Sequence, residues 1–311
     1  MRVTSSSFPT LIARQLTELS TKQARLQSQA GTGQRFSVAS EDPRSMRTVL
    51  DLQGELKTLA QYEKNINKLK ENLETQYSVT NFLKKLSDRA GEIGTLSEAI
   101  RTPDELKAYA NEVNQLIEQA VQLGNTRHQG TYLYGGTKTD APPFVPKRDA
   151  SGNITAVDYV GSSKVNEIEI AEGITVIVQS PGVNKAGTGP RGLLGDAATG
   201  ADFLAHLISL RDNLNSGNSK AISDTITPAL LKDEENIIYQ FGFIGAAQAR
   251  LETSSKIGER RASSLEALIS KEADVDLAQT LVALNEIQNA YMAALKTGGT
   301  ILSQSLLDYL Q

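Results

Sequence analysis

Ile12, Leu19 and Leu26 recur every seven residues near the start of the chain, and Leu16, Gln23 and Ala30 form a companion row. Rows at this spacing predict a short coiled-coil helix over residues 8–30. Gly31-Thr32-Gly33 ends it, as glycine does beyond a helix C-terminus. Asp42-Pro43 opens the next helix, with Pro in the first turn and an acid before it. That helix is expected from about 43 to 100, with Leu52, Leu59, Ile66 and Leu73 seven apart, then Leu86, Ile93 and Ile100, and a candidate break near Gly91 and Gly94. Thr102-Pro103-Asp104-Glu105 starts a further helix to about residue 128, whose apolar face holds Leu106, Tyr109, Val113, Leu116, Ala120 and Leu123.

The pattern then changes. Residues 130–200 are rich in Pro, Gly and β-branched runs. Ile154 to Val160, Lys164 to Ile170 and Ile174 to Gln179 read as strands, with Ser151-Gly152-Asn153 and Ala171-Glu172-Gly173 as turns. Helices resume near Ala201, with one expected over Ser219 to Glu259 carrying Pro228 near its start. A last helix is expected from Asp274 to Leu310. Its heptad rows are Leu277, Leu284 and Tyr291, and Leu281, Gln288, Leu295, Leu302 and Tyr309. The order is palindromic: coiled coil, helices, strands, helices, coiled coil. The fold class this predicts is mainly α with a small β insertion (α+β). It has long helices, paired terminal coiled-coil helices running side by side, and an antiparallel helical middle domain. Residues 1–40 with 275–311 would form the terminal domain, 41–139 with 201–274 a helical rod, and 140–200 a β domain.

Composition sharpens the reading of the two ends. Residues 277–311 carry three charges, Glu286, Lys296 and Asp308, and the first stripe is rich in Gln. A solvent-facing helix carries more charge than this. Each end has more apolar surface than one antiparallel partner covers, and leaving it in water forfeits about 25 cal/mol per Å2. The terminal pair is therefore expected to bury itself in an assembly; the competing reading is an ordinary two-helix seam within one chain. The predicted subunit-interface residues are Ile12, Leu16, Leu19, Leu26, Leu277, Leu281, Leu284, Tyr291, Leu295 and Leu302.

The whole chain has 311 residues, a net charge of -4, 5% aromatics and no Trp, which favours long helices over one large compact core. Nothing is strongly basic, so nucleic acid is not an expected partner. No stretch approaches a membrane span: Ile287 to Leu307 comes nearest and is interrupted by Lys296 and Gly298-Gly299. The start shows no Sec-type signal peptide; its basic, Ser/Thr-rich composition would suit a transit peptide, but the heptads argue that the segment is kept and used. The absence of Cys removes disulfides, thiolate metal sites and thiol nucleophiles together.

No catalytic, cofactor or metal site emerges. His128 and His206 lie far apart and read as surface or core imidazoles. Asp274-Val275-Asp276 reads as acids at a helix N-terminus. Gly31-x-Gly33 follows no strand and lacks a third Gly, and Gly135-Gly136 lacks the Lys-Ser/Thr of a phosphate loop, so it reads as a turn after the aromatic anchor Tyr132-Leu133-Tyr134. Lys84-Lys85 and Arg260-Arg261 read as solvated faces.

Three blocks carry a resemblance. Leu26 to Pro43, ending Arg35-Phe36-Ser37-Val38-Ala39-Ser40-Glu41-Asp42-Pro43, is similar to the N-terminal helix end, Gly turn, Arg and acid-Asp-Pro start of the flagellin superfamily. Its Asp-Pro version resembles the hook-associated branch. Leu123-Gly124-Asn125-Thr126-Arg127-His128-Gln129-Gly130-Thr131-Tyr132-Leu133-Tyr134-Gly135-Gly136-Thr137, continued by Pro143-Phe144, Tyr159-Val160-Gly161 and Glu169 to Ile174, resembles the hook–filament junction family (hook-associated protein 3) entering its β domain. Asp274 to Leu310 is similar in pattern to the flagellin C-terminus. The resemblance spans nearly the whole chain. It implies a non-enzymatic structural adaptor, assembled as a ring of copies between hook-associated protein 1 and flagellin, with the terminal helices inward and the β domain outward. It implies extracellular placement after type III export, with a chaperone holding the chain beforehand, and neither nucleic acid nor membrane insertion. A minor flagellin and a secreted coiled-coil translocator or binding protein are the alternatives.

Overall fold

The structure is a computed structural model that describes residues 7–309 apart from Glu98 and Ile100; the side chains of 7–9 and 301–309 are outside the described set. Helices dominate: α1 (Ser7–Thr32), α2 (Pro43–Ser97), α3 (Pro103–Gly124), α4 (Phe203–Ser216), a short α5 (Ser219–Ala221), α6 (Thr227–Ala273) and α7 (Leu277–Tyr309). Between α3 and α4 lie nine short strands, β1 (Arg127–His128), β2 (Thr131–Tyr132), β3 (Phe144–Arg148), β4 (Ile154–Tyr159), β5 (Ile168–Ala171), β6 (Ile174–Val176), β7 (Val183–Asn184), β8 (Gly195–Asp196) and β9 (Ala201–Asp202). They form three antiparallel hairpins, β1–β2, β3–β4 and β5–β6, and a three-stranded β7–β8–β9 sheet. The mainly α fold with a small β insertion is as the sequence predicts.

The chain divides into two compact units, residues 1–58 with 260–311, and residues 59–259. In the second unit α2 and α6 run antiparallel: Glu63 accepts from Ser255 (3.0 Å), Tyr77 meets Phe241 edge to face, and Lys84 pairs with Glu234 (3.1 Å). The heptad rows of α2 do what their spacing requires, with Ile66, Leu73, Leu86 and Ile93 buried. Ile100 lies outside the described residues. Gly91 and Gly94 do not break the helix, which continues to Ser97; Gly94 instead lies close to the Thr227 hydroxyl. Thr102 and Glu105 form the reciprocal capping box that starts α3. The helix expected over Ser219 to Glu259 is interrupted by a π turn at Ile222–Ile226 and extends to Ala273. Pro228 explains the interruption, because it has no N–H to give to the preceding turn and its ring clashes with the carbonyl four residues back.

The strand region shares its core with helices rather than standing apart. Phe144, Ile154, Leu193 and Leu194 pack with α3 and α4 residues such as Val113, Ile117, Leu207 and Leu210, while Ile170, Val176 and Val178 join Ile66, Leu73 and Leu251 in a second cluster. The strands expected over Lys164 to Ile170 and Ile174 to Gln179 are shorter than predicted, because much of this segment is held by side chains instead of ladders. Gln76 donates to the Val178 carbonyl (2.9 Å), Asn236 to Gly192 (2.8 Å) and Gln240 to Gly192 (3.2 Å), and Ser180 donates to Gln240 (2.8 Å). Buried Arg211 donates to the Ile154 carbonyl (2.6 Å). Such fully buried polar contacts specify one arrangement, since an unpaired group there is costly.

The Tyr132-Leu133-Tyr134-Gly135-Gly136 block is an aromatic anchor followed by a tight turn, as read from sequence. Tyr134 is buried, and its carbonyl accepts from Gly182 N–H (2.8 Å) and the Tyr159 hydroxyl (2.9 Å). Gly136 has φ +63°, and a Cβ there would meet the Ser162 carbonyl oxygen. Gly136→Ala is therefore expected to destabilise the protein by about 2 kcal/mol or more, read as a lowered urea midpoint; an unchanged midpoint would refute the close approach.

His206 Nδ1 lies 2.6 Å from the carboxylate of fully buried Asp233, which also accepts the Asp202 N–H (2.8 Å) and so ties the start of α4 to α6. The hydrogen bond to Asp233 raises the His206 pKa above its ordinary 6.5. Below pH 6.5 the imidazolium is present in both folded and unfolded chains and the pair stabilises fully. As the pH rises through the folded-state pKa that contribution is lost. Urea unfolding should therefore show stability falling by about 1 kcal/mol above pH 6.5, with the slope absent in His206→Asn.

Candidate functional site

The candidate site is the paired terminal helices and the turn that joins them to the rest of the first unit. α1 packs along α7. On α1 the half-buried stripe is Ile12, Leu16, Leu19, Gln23, Leu26 and Ala30, the two heptad rows read from sequence. On α7 the stripe is Thr280, Leu284, Ile287, Tyr291, Ala294 and Gly298. The pair is antiparallel, since Ile12 meets Gly298 at one end and Gln34 bridges Asp274 at the other. A Cβ on Gly298 would lie 3.0 Å from Ile12 Cγ2, so the missing side chain lets the helices close together there.

Leu284 and Tyr291 therefore face α1, but Leu277 of the same row and the companion row do not. Leu277, Leu281 and Leu295 are about half exposed (49%, 50% and 47%), and Gln288 is half-buried. The side chain of Leu302 lies outside the described residues. The seam takes Thr280, Ile287 and Ala294, one position earlier than the row read from sequence. The cause is that α7 is apolar on more than one face, so spacing alone does not select the row that meets α1. What remains is an outward apolar stripe on α7, Leu281, Met292 and Leu295 with Val282 beside it, all near or above half exposure. Next to it Ala278, Gln279, Val282, Ala283 and Glu286 line a shallow depression of about 360 Å3.

The turn at the base of the pair is fixed by backbone hydrogen bonds. α1 ends at Gly33, which has φ +72°. Arg35 N–H donates to the Ala273 carbonyl (2.6 Å), and Val275 N–H donates to the Gly33 carbonyl (2.9 Å). The Arg35 guanidinium then reaches Asp42 (3.0 Å), the Ser45 hydroxyl (2.7 Å) and, more loosely, Glu272 (3.9 Å). Ser45 also donates to Glu272 (3.2 Å). The Ser45 N–H on the Asp42 carboxylate, together with the Ser45 hydroxyl and Arg35, holds the Asp42 pKa below its ordinary 3.8, so this cap stays ionised. Asp276 caps α7 by accepting from Ala278 and Gln279 N–H (2.9 and 3.1 Å), in keeping with acids read as N-terminal charges. Phe36 is buried beneath the turn, with Arg35 5.5 Å from its ring centre.

Arg35 and Asp42 lie inside one short block of the sequence, but the hub is not legible there, because Glu272 lies more than two hundred residues away. Lys84, taken for a solvated face, bonds both Asp88 and Glu234; its partner is likewise on a distant helix. Arg261 pairs with Glu55 (2.7 Å). The two histidines serve separate structural bonds, His128 to Thr75 (3.1 Å) and His206 to Asp233. Among the described residues no group of three or more His, Cys, Asp or Glu stands close enough to hold a metal ion, and no helix is long and apolar enough to cross a membrane.

Residues 6–139 match the bacterial flagellin N-terminal helical region. A comparison of the sequence with curated proteins yields no match. Among solved structures, a candidate flagellar hook-associated protein from Vibrio parahaemolyticus superposes with TM-score 0.65 at 20% identity, covering 75% of this chain and 100% of that one. Bacillus cereus FlgL gives 0.57 at 20%, covering 71% and 99%. The flagellar junction protein FlgL from Legionella pneumophila gives 0.55 at 14%, covering 73% and 99%. Residues 6–139 are thus similar to the bacterial flagellin N-terminal helical region, and the fold is one shared with flagellar hook-associated and junction proteins.

Proposed function

We propose that this protein is the structural adaptor subunit that joins hook to filament in the bacterial flagellum, assembled as a ring through its terminal helices. A flagellar structural role rests on the flagellin-type N-terminal region. The observation that supports assembly through the ends is the second apolar stripe of α7: Leu281, Met292 and Leu295 face away from the seam with α1, on a helix that carries only Glu286, Lys296 and Asp308 as charges. Apolar area of this kind is stabilised when a neighbouring subunit covers it. In this reading α1 and α7 form the inner assembly domain, hook-associated protein 1 lies on the hook side and flagellin on the filament side. The chain leaves the cell by type III export after release from a chaperone.

Two experiments test it. Leu281→Asp is expected to leave the unfolding free energy of the free protein, read by urea titration, within about 0.5 kcal/mol of the parent, since the residue touches solvent, yet to block incorporation into flagella. Leu19→Asp, which places a charge in the α1–α7 seam, should damage both. Normal incorporation of Leu281→Asp would reject the outward stripe as an interface. Deletion of the gene in its host should leave bare hooks, seen by electron microscopy, with flagellin shed into the medium. Intact filaments with normal swimming would overturn the junction role and favour a minor flagellin, the reading that the flagellin-type region also accommodates.

A further inference from the structure

The β3–β4 hairpin has one closed edge and one open edge. Val160 N–H donates to the Pro143 carbonyl (2.9 Å), which sets the phase of the ladder. With Phe144 opposite Tyr159, Val145 opposite Asp158 and Pro146 opposite Val157, the pairs 144/159 and 146/157 point their backbone groups away from the partner strand. On the β3 side only the Pro146 carbonyl is left without a partner among the described residues. The Asn125 amide accepts the Phe144 N–H (2.9 Å) and donates to the Phe144 carbonyl (2.8 Å), imitating a neighbouring strand, and Pro146 has no N–H. On the β4 side Arg211 occupies the Ile154 carbonyl, and beyond it the N–H and C=O groups of Val157 and Tyr159 have no hydrogen-bond partner among the described residues.

These open groups line a groove of about 450 Å3 whose far wall is α4, with Leu204, Ile208 and Leu194 as its apolar lining. Lys185 also lines it, exposed and with no carboxylate within ion-pair distance among the described residues. The acids nearby are engaged: Asp158 with Lys147 (2.7 Å), and Asp202 with the Ala205 N–H at the start of α4 (3.3 Å). Donor and acceptor pairs two residues apart match an extended backbone and little else. We propose that the β4 edge is a strand-addition site for an extended segment of a partner polypeptide in which apolar side chains, seated against Leu204 and Ile208, alternate with acidic ones that meet Lys185. A second copy of this chain fits less well. Its own segment of that pattern, Glu167-Ile168-Glu169-Ile170, is committed to pairing with β6, and Ile170 is buried.

The test uses the full-length protein, amide NMR and a synthetic peptide with the sequence of residues 165–171, Val-Asn-Glu-Ile-Glu-Ile-Ala. Saturable shifts at the Val157 and Tyr159 amides are expected, with loss of binding when alternate peptide nitrogens are methylated. Lys185→Glu should weaken binding about tenfold, one charged contact's worth, and improve binding of the peptide with both Glu replaced by Lys, while leaving the melting temperature unchanged. Three outcomes would overturn the proposal: no shift at these amides with ~1 mM peptide, equal binding of the methylated peptide, or shifts confined to β5 and β6. Concentration-dependent shifts at Val157 and Tyr159 without peptide would reject the choice of occupant and assign the edge to a second copy.

Discussion

The two backbone hydrogen bonds that strap Gly33 and Arg35 to Ala273 and Val275 decide where both ends of the chain leave their long helices. Because α1 ends and α7 begins at this one point, the two helices lie side by side and run in opposite directions. Arg35 sits on this strap and spreads its charge over the first turn of α2 through Asp42 and Ser45, and over the last turn of α6 through Glu272. Acids lie at both of its partners, so one cation serves two helix ends that have opposite dipoles. The surface exposure of this cluster keeps its electrostatic stabilisation modest; its geometric role is to set direction.

In the second unit the same economy appears in another form. With few aromatics and no Trp, the irregular stretch between β6 and α4 cannot be held by bulk alone. It is held by polar side chains reaching out of the long helices: Gln76 from α2, and Asp233, Asn236 and Gln240 from α6. Positions 233, 236 and 240 follow helical spacing, so a face that would ordinarily carry leucines carries hydrogen-bonding groups aimed at backbone carbonyls and N–H groups.

Much of this was legible in the sequence where a signal is local. The α1 stripe, the Gly33 stop, Asp42-Pro43, the Thr102–Glu105 box and the α2 rows each depend on residues within a few turns of one another, and each forms as its spacing demands. Three features were not legible. The α7 row was displaced because that helix is apolar on two faces, and nothing local says which face meets α1 and which faces solvent. Gly91 and Gly94 suggested a break, but fifty-odd residues of helix packed along a partner outweigh about 1 kcal/mol of propensity per glycine. The Arg35, Lys84 and Arg211 contacts join residues far apart in the chain, and charge runs carry no record of such partners. Of the predicted interface residues, the α1 members and Leu284 and Tyr291 fall in the intramolecular seam, while Leu277, Leu281 and Leu295 remain turned to solvent.

The antiparallel closure also has a kinetic side. The bridge between Gln34 and Asp274 spans about 240 residues, and closing a flexible loop of that length costs about 5 kcal/mol of chain entropy. A contact at that separation is unfavourable until the intervening units have folded and shortened the effective path. Residues Ile12, Leu16 and Leu19 are made first and meet their partners last, whenever the chain is delivered from its N-terminus. Throughout that interval the first helix carries a bare apolar stripe, and its sparing use of large side chains, with Gln23 and Ala30 in the seam, limits how strongly it can stick to anything else.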